Sequence, residues 1–323
     1  MVKKGRRCVK NLNVLVIGII IYLLEAITMS KLAILLSSYN GEQYIKEQID
    51  SIYRQTYKDF QLYVRDDGST DKTIELLRDL KAKYDFVLYE GNNLGFVGSF
   101  MWLLRNVRDV EYYAFADQDD IWKENKLEKA MEWLDGKTDR PALFHSAYDV
   151  IDDNGKVVDN FFFPDKKYDF RRTITENHYS GFSMVINKPL RNLMIRGEVN
   201  RIGYHDWWAA MIVHAFGTAH SDYEVMALHR AHGDNVTTFN MLTRIKWLCA
   251  SLKEESDIKK RAMEFDRCFG SKLRRKDKAV LDMFSNKHYN LIKALRKSFY
   301  PARWRPIISS EIVVRMLMLI GRI

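Results

Sequence analysis

Five apolar residues in a row, Leu32-Ala33-Ile34-Leu35-Leu36, constrain this chain most. A strand with one wet face alternates apolar and polar, whereas an unbroken run of this length is the mark of a strand buried on both faces. The run ends at Ser37-Ser38-Tyr39-Asn40-Gly41, and Ile45, Ile49, Ile52 and Tyr53 then recur at helical spacing. The unit repeats: Phe60 to Val64 with a helix bearing Ile74, Leu77 and Leu80, then Phe86 to Tyr89 with a helix bearing Phe100, Leu103, Leu104 and Val107. Tyr112 to Ala116 is the fourth strand. Such β-α alternation predicts an α/β protein with a mainly parallel sheet flanked by helices.

Ligands of such sheets bind beyond the carboxyl ends of the strands. Three polar clusters fall there: Ser38-Tyr39-Asn40, Asp66-Asp67, and Asp117-Gln118-Asp119-Asp120. Residues two apart on an extended backbone face the same way, so Asp117 and Asp119 can meet one ligand. Crowded carboxylates suit a hard cation, Mg²⁺ or Mn²⁺, and a cation there could neutralise a diphosphate. Asp120 is expected to cap a helix starting at Lys123 and Glu124.

Past Trp133 the alternation loosens. Leu143 to Ser146 and Tyr179 to Asn187 read as strands, Val150 to Val158 as a hairpin around Asn154-Gly155, and His205 to Phe216 as a helix. From 241 the chain is helical and basic. Three parts follow: 1–28, a basic and apolar N-terminal segment; 29–240, a catalytic domain; and 241–323, a helical basic extension.

The net charge of +9 conceals an uneven layout. Residues 241–323 hold 20 Lys and Arg against 8 Asp and Glu, and residues 1–10 hold 5 bases and no acid. Basic ends beside apolar stretches point to an anionic membrane surface. No helix-turn-helix, zinc-finger or RNA-binding signature accompanies them, so no nucleic-acid partner is expected. The three cysteines, Cys8, Cys249 and Cys268, form no paired motif, which fits a reducing compartment. Leu12 to Leu24 would reach roughly 20 Å as a helix, short of a roughly 30 Å hydrocarbon core. It is either an interfacial anchor or a stretch ahead of a true start at Met29. Ile307 to Ile320, bordered by Arg303, Trp304 and Arg305, reads as an amphipathic interfacial helix. The expected location is the cytoplasmic face of the cell membrane.

Five stretches together resemble the inverting family 2 glycosyltransferases of the GT-A fold, especially bacterial rhamnosyltransferase-like members. They are Leu35 to Gly41, Arg65-Asp66-Asp67-Gly68-Ser69-Thr70-Asp71, Ala116-Asp117-Gln118-Asp119-Asp120-Ile121-Trp122, His205-Asp206-Trp207-Trp208, and His229 to Val236. They occur in family order and span about 31–240. The QxxRW motif of the related processive enzymes is missing, so a single transfer per encounter is the expectation.

The resemblance implies a GT-A type, Rossmann-like sheet and a nucleotide-sugar donor, dTDP-rhamnose or a UDP-sugar. It implies a glycan or lipid-linked acceptor. Asp67 would read the N3–H of a uracil or thymine, with Asp66 steadying the loop and Ser38 and Tyr39 flanking the ring. Asp117 and Asp119 would be the DxD pair, Asp119 the more direct metal ligand. Asp206 would be the catalytic base, with Trp207 and Trp208 raising its pKa by shielding it from water. Arg230 and His232 would approach the diphosphate or a bound metal, Gly181 would lie in the small loop beneath the donor sugar, and Trp207 is a further candidate for contact with the diphosphate or the acceptor.

Overall fold

The computed structural model describes residues 30–161, 168–231, 256–286 and 288–323. The N-terminal segment 1–28 and His232 lie outside the described residues, as does most of the stretch from His229 to Val236.

Strand β1 (Leu32–Ser38) pairs in parallel with β2 (Phe60–Asp66) on one side and β4 (Tyr112–Ala116) on the other, and β2 pairs in parallel with β3 (Phe86–Glu90). The apolar run is thus the centre of a sheet. Its side chains divide by parity, as an extended backbone requires. Ala33 and Leu35 enter one core cluster, whereas Leu32, Ile34 and Leu36 enter another on the opposite face.

Beyond β4 the sheet continues through β8 (Met184–Asn187), β6 (Ala142–Ile151), β9 (Thr218–Arg230) and the two-residue β5 (Ile121–Trp122). β4–β8, β8–β6 and β9–β5 are antiparallel, and β6–β9 is parallel. β7 (Val157–Phe161) pairs antiparallel with β6 and completes the predicted hairpin. The sheet is therefore mixed and mainly parallel in its N-terminal half, as in the GT-A architecture. The stretch read as one strand from Tyr179 is shorter: Gly181–Ser183 form a 3₁₀ turn, and only Met184–Asn187 pair.

Helices α1 (Ile45–Tyr53), α2 (Thr73–Leu80), α3 (Gly95–Asn106) and α4 (Lys126–Leu134) are the crossovers and cover. α4 starts later than the acidic loop suggests, with Asn125 before its first turn. Asp120 caps nothing, because Ile121 and Trp122 pair with Leu228 and Ala227 before the helix begins.

Then come α5 (Phe170–Thr173), α6 (Lys188–Met194), α7 (Val199–Ile202) and α8 (His205–Phe216). The described part of the basic extension is α9 (Asp257–Phe269), α10 (Arg275–Leu281), α11 (Leu291–Ser298) and α12 (Ile308–Leu319). It does not hang off the body: Phe265, Phe269, Leu281, Trp304, Val314 and Leu317 share one buried cluster with Trp208 of α8 and Phe115 of β4. Trp304 is fully buried, so the expected aromatic border of the terminal helix is instead a core anchor. Among the described residues no helix is long and apolar enough to cross a membrane.

Candidate active site

The strand order β3-β2-β1-β4 turns direction between β1 and β4, and the crevice at such a switch point is the natural ligand site of an open α/β sheet. The loops flanking it are Ser38 to Gly41 and Asp117 to Asp120. Gln118 sews them together. Its amide nitrogen donates to the Tyr39 carbonyl at 3.0 Å, and its amide oxygen accepts from the Tyr39 N–H at 2.8 Å. A Cβ on Gly41 would collide with that same amide, so the glycine is required by a close approach. In the sequence Gln118 looks like filler between aspartates.

The first loop is also tied to the bend that follows β2. Asn40, at φ +48, donates its N–H to Ser69 Oγ at 2.9 Å, and its side-chain oxygen accepts from Thr70 N–H at 2.8 Å. Asp66 organises the bend from inside. Its carboxylate accepts from the N–H groups of Gly68 (3.0 Å) and Ser69 (2.8 Å) and from the hydroxyls of Ser69 (2.5 Å) and Ser38 (3.1 Å). Asp67 is buried and pairs with Arg65; its Oδ1 also accepts from Leu94 N–H at 2.8 Å. Its Oδ2 accepts no hydrogen bond from a described residue, which leaves it able to take a ligand donor. Tyr39 keeps an exposed ring at the mouth.

At the end of β4, Asp117, Asp119 and Asp120 gather negative charge, and Asp206 adds to it from α8. Burial, then the charges of Asp120 and Asp119, holds the Asp117 carboxyl well above the usual range, and Asp206 pushes the same way. His229 opposes them. Its Nδ1–H donates to Asp120 Oδ1 at 2.8 Å, and its ring stacks on Phe182 at 4.6 Å. Burial disfavours an imidazolium there, but Asp120, helped by Asp117 and Asp119, overrides it and pushes His229 up to about 9. The charge of Asp120 thus favours the imidazolium form of His229. Neither Asp120 nor His229 was assigned this role from sequence, because 109 residues separate the pair.

A small cation such as Mg²⁺ keeps waters and takes one or two carboxylates together with substrate phosphates, not a closed protein cage. Asp117 and Asp119 supply that number, and the charge crowded on Asp117 is what a divalent ion would relieve. Among the described residues no three His, Cys, Asp or Glu side chains stand together as a metal cage.

Asp206 sits in the first turn of α8, where a carboxylate suits the helix dipole. It accepts from Trp207 N–H at 2.6 Å. Burial still dominates and pushes its carboxyl up to about 6, against the pull of the Trp207 N–H and of Arg261. Trp207 is held by its indole N–H, which donates to the Thr173 carbonyl at 2.5 Å. Gly181 packs against the same helix start: a Cβ there would stand 2.6 Å from His205 Nε2. Arg230 lies beside the same acidic loop. Its guanidinium donates to Glu47 (2.7 Å) and to the carbonyls of Asp119, Asp152 and Asp153 (3.2–3.3 Å), and covers the Tyr44 ring. In this arrangement it clamps the acidic loop to α1 and the β6–β7 turn.

A family model described as glycosyl transferase family 2 matches residues 33–194, half of the chain, and takes in every loop of the crevice. The chain belongs to glycosyl transferase family 2. Among the curated relatives of this family 2 member is an uncharacterized glycosyltransferase of Methanocaldococcus jannaschii. It is 31% identical over 194 residues, which cover 57% of this chain and 65% of the relative. The dTDP-rhamnosyl transferase RfbG of Shigella flexneri is 34% identical over 105 residues, 31% of this chain and 36% of that protein. The chain thus spans less than two thirds of either. Of solved structures, S. aureus TarS 1–349 in complex with UDP-GlcNAc aligns with a TM-score of 0.57 at 16% identity, over 84% of this chain and 76% of that one. That likeness establishes the GT-A fold.

Proposed function

We propose that this family 2 member is an inverting, metal-dependent glycosyltransferase that moves L-rhamnose from dTDP-rhamnose to a cell-surface polysaccharide or a lipid-linked glycan. The observation that carries the reading is Asp206: a carboxyl pushed up to about 6 beside the three-aspartate loop. A base with that pKa is charged at neutral pH yet still accepts a proton readily.

The acceptor hydroxyl gives its proton to Asp206 as its oxygen attacks the anomeric carbon. The bond from that carbon to the diphosphate breaks, and the leaving diphosphate keeps the electron pair. One displacement inverts the anomeric centre. Asp67 Oδ2 accepts the N3–H of the pyrimidine, a hydrogen bond strengthened by charge. Tyr39 covers the base, and the His229 imidazolium faces the negative charge that develops on the leaving group. Asp119 and Asp117 would hold a divalent cation, which would supply Lewis-acid stabilisation of the same charge.

The rhamnose assignment is supported by the RfbG match and by the bacterial rhamnosyltransferase-like motifs. A UDP-hexose is the second reading. Thymine and uracil offer the same N3–H to Asp67, and TarS, alike in fold, is known in complex with UDP-GlcNAc.

Nucleotide release from dTDP-rhamnose, UDP-glucose, UDP-galactose, UDP-N-acetylglucosamine and GDP-mannose with Mg²⁺ or Mn²⁺ tests the proposal. Selective release from dTDP-rhamnose, lost in Asp119→Ala and Asp206→Asn, is the expected result. Release from a UDP-sugar would overturn the rhamnose assignment alone. Release that survives both substitutions would overturn the mechanism.

A further inference from the structure

Helices α11 and α12 form a hairpin whose inner side is locked to the body. Ala294 of α11 and Val314, Leu317 and Met318 of α12 are buried. Arg315 donates to the Ser298 carbonyl at 2.7 Å, and Tyr289 OH donates to the Leu319 carbonyl at 3.0 Å, so the helices run side by side. Trp304, in the turn between them, is fully buried and donates its indole N–H to the Lys297 carbonyl at 2.8 Å.

The outer side is apolar and uncovered. Ile292, Leu295 and Phe299 follow one another at spacings of three and four along α11, which is one stripe of a helix. Ile308, Ile312 and Met316 form a matching stripe on α12 at spacings of four. Phe299 is 74% exposed, Ile292 64% and Met316 62%. Two adjacent uncovered stripes on one hairpin exceed the scattered apolar residues that a soluble surface ordinarily carries.

The charge around them has one sign. From residue 288 to the end there are seven bases, Lys293, Arg296, Lys297, Arg303, Arg305, Arg315 and Arg322, and one acid, Glu311. Glu311 is buried and neutralised within the fold, where it accepts from Arg315 (2.5 Å) and from the N–H groups of Trp304 (3.0 Å) and Arg305 (2.8 Å). The exposed charges, Arg296, Arg303 and Arg322, are all positive. A protein partner could match an apolar stripe, but apolar side chains flanked along the hairpin by exposed guanidinium groups match the acyl boundary and headgroups of an anionic bilayer. α12 has twelve residues, about 18 Å of helix, which lies along a surface and does not cross it.

We propose that the α11–α12 hairpin is a two-helix membrane-docking face that seats this chain on an anionic lipid surface. Phe299 and Ile312 enter the acyl boundary, and Arg296, Arg303 and Arg322 meet lipid phosphates. The face is joined to the candidate base through a short path. Arg305 donates to the Thr175 carbonyl at 2.8 Å, and Thr173, two residues away, holds the Trp207 indole beside Asp206. Docking by this face would therefore hold Asp206 at a set height above the lipid. The proposal does not depend on the identity of the donor sugar.

Flotation of the full chain with vesicles tests it, using phosphatidylcholine alone and a 70:30 mixture of phosphatidylcholine and phosphatidylglycerol. The expected result is flotation with the mixed vesicles and at least tenfold weaker association with the neutral ones. Phe299→Ser/Ile312→Ser/Met316→Ser and, separately, Arg296→Glu/Arg322→Glu should each weaken it at least tenfold. All five side chains are exposed, and a melting temperature unchanged from the parent confirms folding; should the serine variant melt lower, the charge-reversal variant carries the test. No flotation of the parent, equal flotation with neutral vesicles, or undiminished flotation of the charge-reversal variant would overturn the proposal. So would a parent that is dimeric without lipid and becomes monomeric with the serine substitutions, since the face would then belong to a second copy.

Discussion

The guanidinium of Arg261, on α9, lies 3.6 Å over the ring of Trp207, the residue that follows Asp206. Its Nε donates to the Ile202 carbonyl at 3.0 Å, and its two terminal nitrogens are buried without a hydrogen-bond partner among the described residues. A residue of the basic extension thus reaches the start of the helix that bears the candidate base. Its charge favours the ionised form of Asp206, while burial holds the carboxyl at about 6. Replacing Arg261 by Gln removes that charge and keeps a polar stem. The acid limb of the kcat/KM–pH profile, expected near pH 6 in the parent, should move to higher pH. Arg261→Lys should leave it nearer the parental position. A profile identical in parent and Arg261→Gln would mean that the cation acts on packing alone.

Asp206→Asn is expected to lose transfer by about 10²–10⁴-fold, the usual worth of a positioned general base. It should also make the protein more stable at pH 7.5. A carboxyl raised from 3.8 to about 6 in the fold binds its proton more tightly folded than unfolded. Its contribution to stability is complete below pH 3.8 and is lost as pH rises through 6. Above that, the buried charge is a burden of at most about 3 kcal/mol, and with partial solvent contact about 1–3 kcal/mol is expected back from the amide. Urea unfolding at pH 7.5 and pH 4 checks this: the gain should shrink at the lower pH. A gain absent at pH 7.5, or equal at both, would show that Asp206 titrates normally.

The central sheet and its ligand edge were legible because both follow from short-range pattern. Strands buried on two faces read as unbroken apolar runs, and their polar ends read as loops, so Ser38, Asp66, Asp67 and Asp117 could be named by counting. Asp206 was singled out only through the resemblance to family 2, since an acid before two tryptophans reads equally as a helix cap. The partners that give these residues their properties were not. His229 meets Asp120 only because the two-residue β5 pairs with β9, and an interaction that short leaves no periodicity. Gln118 has no composition signal at all. Arg261 and Trp304 lay in a stretch whose basic, apolar character hid that half of each helix faces the core. The bonds of Arg230 to Glu47 and to three backbone carbonyls were equally out of reach of the sequence, because they join segments far apart in the chain.

His229→Gln keeps a hydrogen-bond donor near Asp120 but removes the imidazolium. A hydrogen bond to a charged group contributes about 1.5–3 kcal/mol. Binding of dTDP or UDP, followed by calorimetry, should therefore weaken about tenfold or more, with the fold and melting temperature retained. Nucleotide binding unchanged in the variant would restrict His229 to holding the acidic loop. In that event the loss should appear in kcat.

Gly41 and Gln118 can be tested as one unit. Gln118→Ala removes two hydrogen bonds to the Tyr39 peptide, each with a net worth of about 1 kcal/mol, and frees the two crevice loops from one another. Gly41→Ala introduces a Cβ where the Gln118 amide lies and should expel the same side chain. Each single substitution is expected to raise KM for the donor about threefold to thirtyfold. Because both break one clamp, the double variant should be no worse than either single one, a coupling that a double-mutant cycle reads directly. Additive losses would mean that Gly41 is required for the Thr73 hydroxyl that its N–H meets at 2.8 Å, or for another contact of the turn, and not for its closeness to Gln118.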